Sequence, residues 1–442
     1  MGEGFQIAVT GDAIINRKIS VYADDKFLAL VNIIRGADVA YTHFETLVHD
    51  YEGPEIYPAA EAGWTWMRSP QFIVEELKWA GFNIVSHASN HCLDYSYGGL
   101  MSTWEALKKA GMAYAGTGRH LGEAREAAYL ETAKGRAALI SMCSSFTGWA
   151  RAGEMRRDLK GRPGLNPLRF SYRADPENLE AVKQLAMKLG WWVTRVGREW
   201  LLNPAGLHNT VYRFVESQET GIIPIADEED IDGNLRSIGN AKRQADFVLV
   251  HLHTHEWDPE EGLHKPAKFV PPFARACIDA GADVFIGEGS HAPLRGIELY
   301  RNKPIFYDPG DLFTMSGTVT KLPSDSYFRP GYNPEIRQWG ATPADNFDSR
   351  AALPKPLSPP GGYRTAPVSG GVVGVCSFGE GGKLVGIKLY PFTFNHELRS
   401  KTGIPVLADP ETGKKIIDYL GKLSAPLGTI IEYKESIGLV HL

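Results

Sequence analysis

Cysteine is scarce in this chain. Cys92, Cys143, Cys277 and Cys376 are scattered through 442 residues with no CxxC pair, which argues against a disulfide framework and against a structural zinc knot. Long apolar runs are missing too: no stretch approaches the roughly 18 consecutive apolar residues of a membrane-spanning helix, so no membrane span is expected. There is no basic excess. The formal net charge is −5, so neither a nucleic-acid backbone nor an anionic membrane surface is an expected partner. The start, Met1-Gly-Glu-Gly-Phe-Gln-Ile-Ala-Val-Thr, has neither the basic n-region nor the apolar h-region of a signal peptide. A reducing cytoplasm is the expected compartment.

What is present is enough apolar sequence, 43% of the chain, for one large catalytic domain with insertions or for two ordinary domains. Strand-like runs at Phe5 to Thr10, Ala37 to Tyr41 and Phe82 to Val85 end abruptly in polar residues, the punctuation of an α/β sheet. Ser69-Pro70 reads as an N-cap followed by a first-turn proline, with a helix running to Gly81. Leu100, Trp104 and Leu107 recur at helical spacing before Lys108, Lys109 and Gly111, predicting a second helix. Residues 150–240 break the rhythm with many arginines and little periodicity, and are read as an inserted cap. The α/β pattern resumes at Ala245 to Val250, passes through a helix near Pro272 to Ala280, and enters a strand at Asp283 to Ile286. Residues 1–149 and 241–442 therefore form the expected catalytic domain. Within it, 318–371 is rich in Pro, Gly, Ser and Asp and is expected to be a long irregular loop. A hairpin around Gly379 to Lys383 and a helix near Gly413 to Leu423 complete the tail.

The informative motifs share one form, an apolar run that ends in acid, amide or imidazole groups. They are Thr10-Gly11-Asp12, His43-Phe44-Glu45, Ser89-Asn90-His91, His251-Leu-His253-Thr-His255-Glu256 and Gly287-Glu288-Gly289-Ser290-His291. In extended chain, residues i and i+2 share a face, so His43 with Glu45, and His251, His253 and His255, can project together. Such ligands at strand ends suit zinc, manganese, iron or another first-row divalent ion. Two ions bridged by one carboxylate would clamp both the attacking and the leaving oxygen of a hydrolysis.

Taken in order, these stretches resemble the poly-γ-glutamate capsule-biosynthesis (CapA-type) family of the calcineurin-like metallophosphoesterase superfamily. The likeness runs through roughly residues 5 to 315. It also includes Asp94-Tyr, Gly98-Gly99-Leu and Thr103, Gly116-Thr-Gly118, Gly281-Ala-Asp283-Val-Phe-Ile-Gly287, Ile305-Phe-Tyr307 and Gly310-Asp311-Leu-Phe313. The resemblance implies a four-layer sandwich of two mixed sheets flanked by helices. It implies Asp12, Glu45, Asn90, His253 and His291 as metal ligands, with Glu45 the bridge and His91 the proton donor to the leaving group. The sequence departs from the family at four points. His43 stands where the family has Asn, His255 where it has Gly, Glu288 where it has His, and Asp311 where it has Asn. Glu288 can still ligate a hard or borderline ion.

Any one motif alone is more readily a turn or a cap; the ordered set reverses that weighing. His251 and His255 are less secure than His253, since a histidine beside a strand end is more often a surface or supporting group. His43, His255 and Glu288 join the expected ligand set. Asp94 is expected either to cap a helix or to hold the His91 tautomer. Gly116-Thr-Gly118-Arg-His-Leu-Gly122 spaces its third glycine wrongly for a dinucleotide site. Arg17, Arg162 and Arg295 are candidates for binding an acidic substrate group. The expected function is metal-dependent hydrolysis, of an amide such as a γ-glutamyl bond in a small acidic or peptide-like substrate. The alternatives are a non-catalytic accessory of poly-γ-glutamate synthesis or export, and a phosphoesterase. A homo-oligomer is compatible with the sequence.

Overall fold

The computed structural model describes residues 4–62, 65–204, 211–291, 294–328, 340–349, 367–395 and 398–442. The first three apolar runs become the strands Phe5–Ile14, Val39–His43 and Ile84–Ser86, which pair in parallel with Ala113–Ala115 beyond them. On the other side of Phe5–Ile14 the tail adds Gly371–Phe378, Leu384–Asn395, Ile437–Val440 and Ile431–Lys434, each antiparallel to its neighbour. The hairpin expected at Gly379 to Lys383 is the turn between the first two of these.

A second sheet is built around the predicted strands Phe247–His253 and Val284–Glu288, parallel to each other and to Gly135–Cys143 and Lys303–Asp308. Alternation along the strands divides the apolar residues between two faces. Ile7, Val9, Val39, Tyr41 and Ile84 of the first sheet share a buried cluster with Leu139, Leu249, Val284 and Ile286 of the second. Ala8, Ala40 and Val85 turn the other way, toward Phe27, Leu30, Ile73, Leu77 and Leu107 on helices. Val248, Val250 and Phe285 do the same toward Ile238, Phe273 and Cys277. The architecture is mixed α/β, and burial of each such Leu, Ile or Phe contributes about 1.5–3 kcal/mol.

Local signals mostly decide where elements begin and end. Asp24 caps the helix Asp25–Arg35 by accepting from the backbone of Lys26 and Phe27. The helix Ser96–Ala110 stops at Gly111, which is left-handed at φ 66°, as its spacing predicts. The predicted cap at Ser69 is a correction: the helix begins later, at Ile73, with no side-chain cap. Ser69 pairs with Val48 and commits its hydroxyl to Thr46 and to the Ile15 carbonyl.

Within 150–240 a five-stranded sheet forms from Trp192–Val196, Glu199–Asn203, Tyr212–Glu216, Phe170–Ala174 and Ile222–Ala226. The helix Pro176–Lys188 packs with it through Leu179 and Ala186. The helix Glu228–Lys242 instead sends Ile238 and Ala241 into the cluster behind the second sheet. Of the irregular stretch 318–371, residues 329–339 and 350–366 lie outside the described residues; the short helices Ser324–Tyr327 and Pro343–Ser349 lie within them. Among the described residues no helix is long and apolar enough to cross a membrane.

Candidate metal centre

The centre starts from a bulge. Along Phe5–Ile14 the register runs Val9 opposite Tyr41 and then Asp12 opposite His43, so three steps on one strand match two on its neighbour. The extra residue bends the strand end and re-aims the side chains beyond it. Gly11 makes this possible, because a Cβ there would lie 2.2 Å from the Gly310 carbonyl oxygen. The end of the strand carrying Asp12 and the loop carrying Asp311 are thereby pressed together.

Further strand ends add their polar residues. Glu45 lies just past Val39–His43, and Asn90 and His91 lie past Ile84–Ser86. His253 closes Phe247–His253 beside Glu288, its register partner, and His255 lies just beyond. His291 sits in the left-handed region at φ 56°, a conformation costly for a residue with a Cβ. There its Nδ1 is 3.3 Å from both Asp12 and Asp311, and its Nε2 is 3.6 Å from Glu45.

The groups converge on two adjoining points. His253 Nε2 lies 3.0 Å from Asn90 Oδ1, 3.2 Å from His255 Nε2 and 3.4 Å from Glu45 Oε1. Asp12, His291 and Asp311 meet at the other point, and Glu45, His255 and His291 join the two. Asp12, Glu45 and His253 are fully buried, yet no hydrogen bond of good geometry reaches either carboxylate oxygen of Asp12 or Glu45, or His253 Nδ1. A buried carboxylate without a donor is costly unless a cation compensates it. This donor set of imidazoles, carboxylates and one amide oxygen fits first-row divalent ions.

Burial sets the electrostatics. It pushes the Asp12 carboxyl up to about 7, helped by the neighbouring charge of Glu288. It also raises Glu45 well above the usual carboxylate range, with Asp12 adding to the effect. Asp311 rises to about 6 from burial, partly offset by His291. His253 and His255 are driven well below the usual imidazole range by burial and by the neighbouring imidazoles. For His291 burial opposes the charge, but Glu45 and Asp311 outweigh it and hold the ring well above its ordinary value. His253 and His255 are thus in the neutral state that metal ligation requires, whereas His291 would give up a proton to a bound cation.

His91 stands at the edge of the cluster. Its Nδ1 is 2.6 Å from Asp94 Oδ2, and its Nε2 faces Glu45 at 3.9 Å. Asp94 also accepts from the Met67 backbone at 2.6 Å, and the helix Ser96–Ala110 beyond it has no side-chain cap. The geometry is that of an orienting carboxylate rather than a cap.

Residues 6–315 match the family described as bacterial capsule synthesis protein PGA_cap. The chain belongs to that family. A Sinorhizobium fredii protein named y4sH is 32% identical over 456 residues, covering 100% of this chain and 94% of its own length. A Mycobacterium tuberculosis protein named "Probable polyglutamine synthesis accessory protein" is 28% identical over 231 residues, 52% of this chain and 44% of that one. The Bacillus anthracis capsule biosynthesis protein CapA is 25% identical over 249 residues, 56% of this chain and 44% of its own.

In this member of the family the structure brings together Asp12, Glu45, Asn90, His91, His253, His255 and His291, with His43 and Glu288 one layer deeper. The three arginines lie elsewhere. Arg17 donates to the backbone carbonyls of Arg399 and Thr402. Arg162 is exposed and donates to the Arg151 carbonyl. Arg295 is fully buried and donates to the carbonyls of Leu263 and Glu256. Sequence reasoning noted Asp311 only as a departure from the family and left it out of the ligand set, although it stands after Gly310 in the same strand-end form as the rest. It left out the hydroxyl cage of Ser144, Ser145 and Thr254 around the Glu256 carboxylate as well. Ser145 also accepts from the His255 backbone at 2.7 Å, which fixes where that ring starts.

Proposed function

We propose that the chain is a metal-dependent hydrolase that cleaves an amide bond, γ-glutamyl or related, in a small acidic or peptide-like substrate. The observation that carries this reading is the pair of fully buried carboxylates, Asp12 and Glu45, reached by no hydrogen bond of good geometry and ringed by Asn90, His253, His255, His291 and Asp311. These residues would hold two divalent ions, with Glu45 reaching both. Ions of this class supply Lewis acidity toward a carbonyl or phosphoryl oxygen and lower the pKa of a water molecule.

The chain's own residues supply the rest. His91, oriented through Nδ1 by Asp94, presents Nε2 as the proton donor to the departing amine. Asn90 contributes a neutral oxygen beside His253, which limits the charge crowded there. The metallophosphoesterase-like four-layer sandwich belongs to the same reading. Its support is the shared core between the sheets and the helical clusters on their outer faces. So does a catalytic domain of residues 1–149 and 241–442 with a cap at 150–240. The capsule and polyglutamine names of relatives favour an amide over a phosphate ester.

The name "accessory protein" carried by the mycobacterial relative favours a second reading, a polymer-binding partner of synthesis without catalysis. Elemental analysis of purified protein, together with a screen of γ-glutamyl amides against phosphodiesters, separates the readings. At least two first-row ions per chain, with this pair lost from Asp12→Ala, and amide hydrolysis lost from His91→Ala, are expected. Protein that takes up neither zinc nor manganese would overturn the hydrolase.

A further inference from the structure

The ligands around Asp12 and Glu45 form the mouth of the centre. Directly behind them lies a second polar layer that the proposed hydrolysis does not use. It comprises Tyr41, His43, Ser86, Ser141, His251 and Glu288, all essentially sealed from solvent. A polar layer between two apolar sheet faces needs its hydrogen bonds accounted for.

The proton count is informative. Tyr41 donates its single hydroxyl proton to Glu288 Oε1 at 2.8 Å. Ser86 Oγ lies 2.7 Å from the Tyr41 oxygen and 2.8 Å from His43 Nδ1. With the tyrosine proton committed, the Ser86 proton goes to Tyr41, so His43 must donate its Nδ1–H to Ser86. His43 Nε2 is therefore a bare lone pair, and no donor reaches it. His251 is also held at its far side, with Nδ1 2.8 Å from Ser141 Oγ. Its Nε2 comes within 2.6 Å of Glu288 Oε1, in a geometry that makes no hydrogen bond, and Glu288 Oε2 has no partner.

An imidazole whose far nitrogen is tied down while the near one is bare, as in His43, is in the state that metal-ligating histidines adopt; His251 turns its near nitrogen to the same space, against Glu288. The His43 and His251 rings stack with centroids 4.6 Å apart. His43, His251 and His253 each offer a nitrogen, all within 4.8 Å of one another. Bonds of about 2.0–2.1 Å place the ligands of a tetrahedral ion about 3.4 Å apart, which small rotations would reach, drawing the three rings together and parting His251 Nε2 from Glu288 Oε1, now 2.6 Å away.

We infer that His43, His251 and Glu288 form a further cation position behind the mouth, closed on the mouth side by Asp12 and His253. It is enclosed and selects a zinc-class ion. Its chemistry is that of a closed structural site rather than a catalytic one. Its ion holds the two sheets together beneath the hydrolytic pair, so it depends on the same fold but not on the hydrolase reading.

The test is crystallographic, with the full chain grown in zinc and anomalous difference density measured at the zinc edge. A peak between His43 Nε2, His251 Nε2 and Glu288, absent from His43→Asn and His251→Gln crystals while the mouth peaks persist, is expected. In solution the same variants should carry one zinc fewer per chain than the parent. Because the parent crystal alone shows the peak, poor folding of a variant does not remove the test. Peaks confined to the mouth would overturn the inference and leave the hydrolase standing. A deep peak alone would do the reverse, and no peak anywhere would sink both.

Discussion

His253 Nε2 and His255 Nε2 face each other at 3.2 Å, with their rings nearly perpendicular. Both groups are held neutral by burial and by neighbouring imidazoles. Two ring nitrogens can approach so closely only with a proton or a cation between them. Asn90 and Glu45 converge on the same point, which favours the cation.

Replacing His255 by Gly removes one of these donors without disturbing the strand that carries His253. The expected outcome is a drop in affinity for zinc of at least the 10–100-fold that accompanies loss of an outer partner. Competition with a chromophoric chelator measures it. Unchanged affinity would place His255 outside the ligand set.

Asp94→Asn should leave metal content intact, because Asp94 touches His91 and the Met67 backbone rather than the ring of ligands. Turnover should fall about 10–100-fold, and His91→Ala should cost about 10²–10⁴-fold, the range for a positioned acid. Equal losses of metal and activity in either variant would contradict these roles.

Stability of the chelated protein should fall as pH rises above about 6.5. Asp12 is raised to about 7, and Glu45 and Glu288 are held well above their ordinary value, each chiefly by burial. The folded state therefore binds more protons than the unfolded one, and stability is lost as pH climbs through the folded values, by ~1.4 kcal/mol per unit for each proton. Below the ordinary imidazole value of 6.5 the trend is opposed, since burial holds His251 down to about 3 and His87 to about 4. Urea midpoints at pH 6.5 and 8, with and without chelator, check the sign. The metal-loaded protein should show the decline much reduced.

Arg295 gives a different kind of test. It pairs in register with Asp308, whose carboxyl is raised by burial and held back by the Arg295 charge. Asp308 keeps the backbone N–H groups of Ser290 and Gly310, but Arg295→Ala would leave the buried carbonyls of Leu263 and Glu256 without this donor, and should destabilise by about 2–5 kcal/mol. A substrate-binding arginine would instead raise KM with the melting temperature unchanged.

The sequence made the strand ends legible, because a polar residue closing an apolar run can be seen without knowing its partners. Asp12, Glu45, Asn90 and His253 are visible in this way, and so is the helix stop at Gly111. What stayed hidden depends on pairing across the fold. Ser69 looks like a cap until Thr46 and Ile15 are seen to take its hydroxyl. Asp94 can be read as a cap or as the holder of the His91 tautomer, and only their 2.6 Å contact decides between the two. Tyr41, Ser86 and Ser141 are ordinary strand residues in sequence and acquire meaning only where the two sheets meet. The five strands within 150–240 are short and partly exposed, so their alternation is weak.

The contact between Gly11 and Gly310 bears on how the centre comes into being. A ribosome delivers Asp12 and Glu45 early, and Asp311 only after about two thirds of the chain has emerged. Until that late segment packs against Gly11, the early carboxylates remain hydrated and cannot form the site. The centre is thus completed only after the segment around Asp311 has arrived, and capture of an ion would report that the chain has closed on itself.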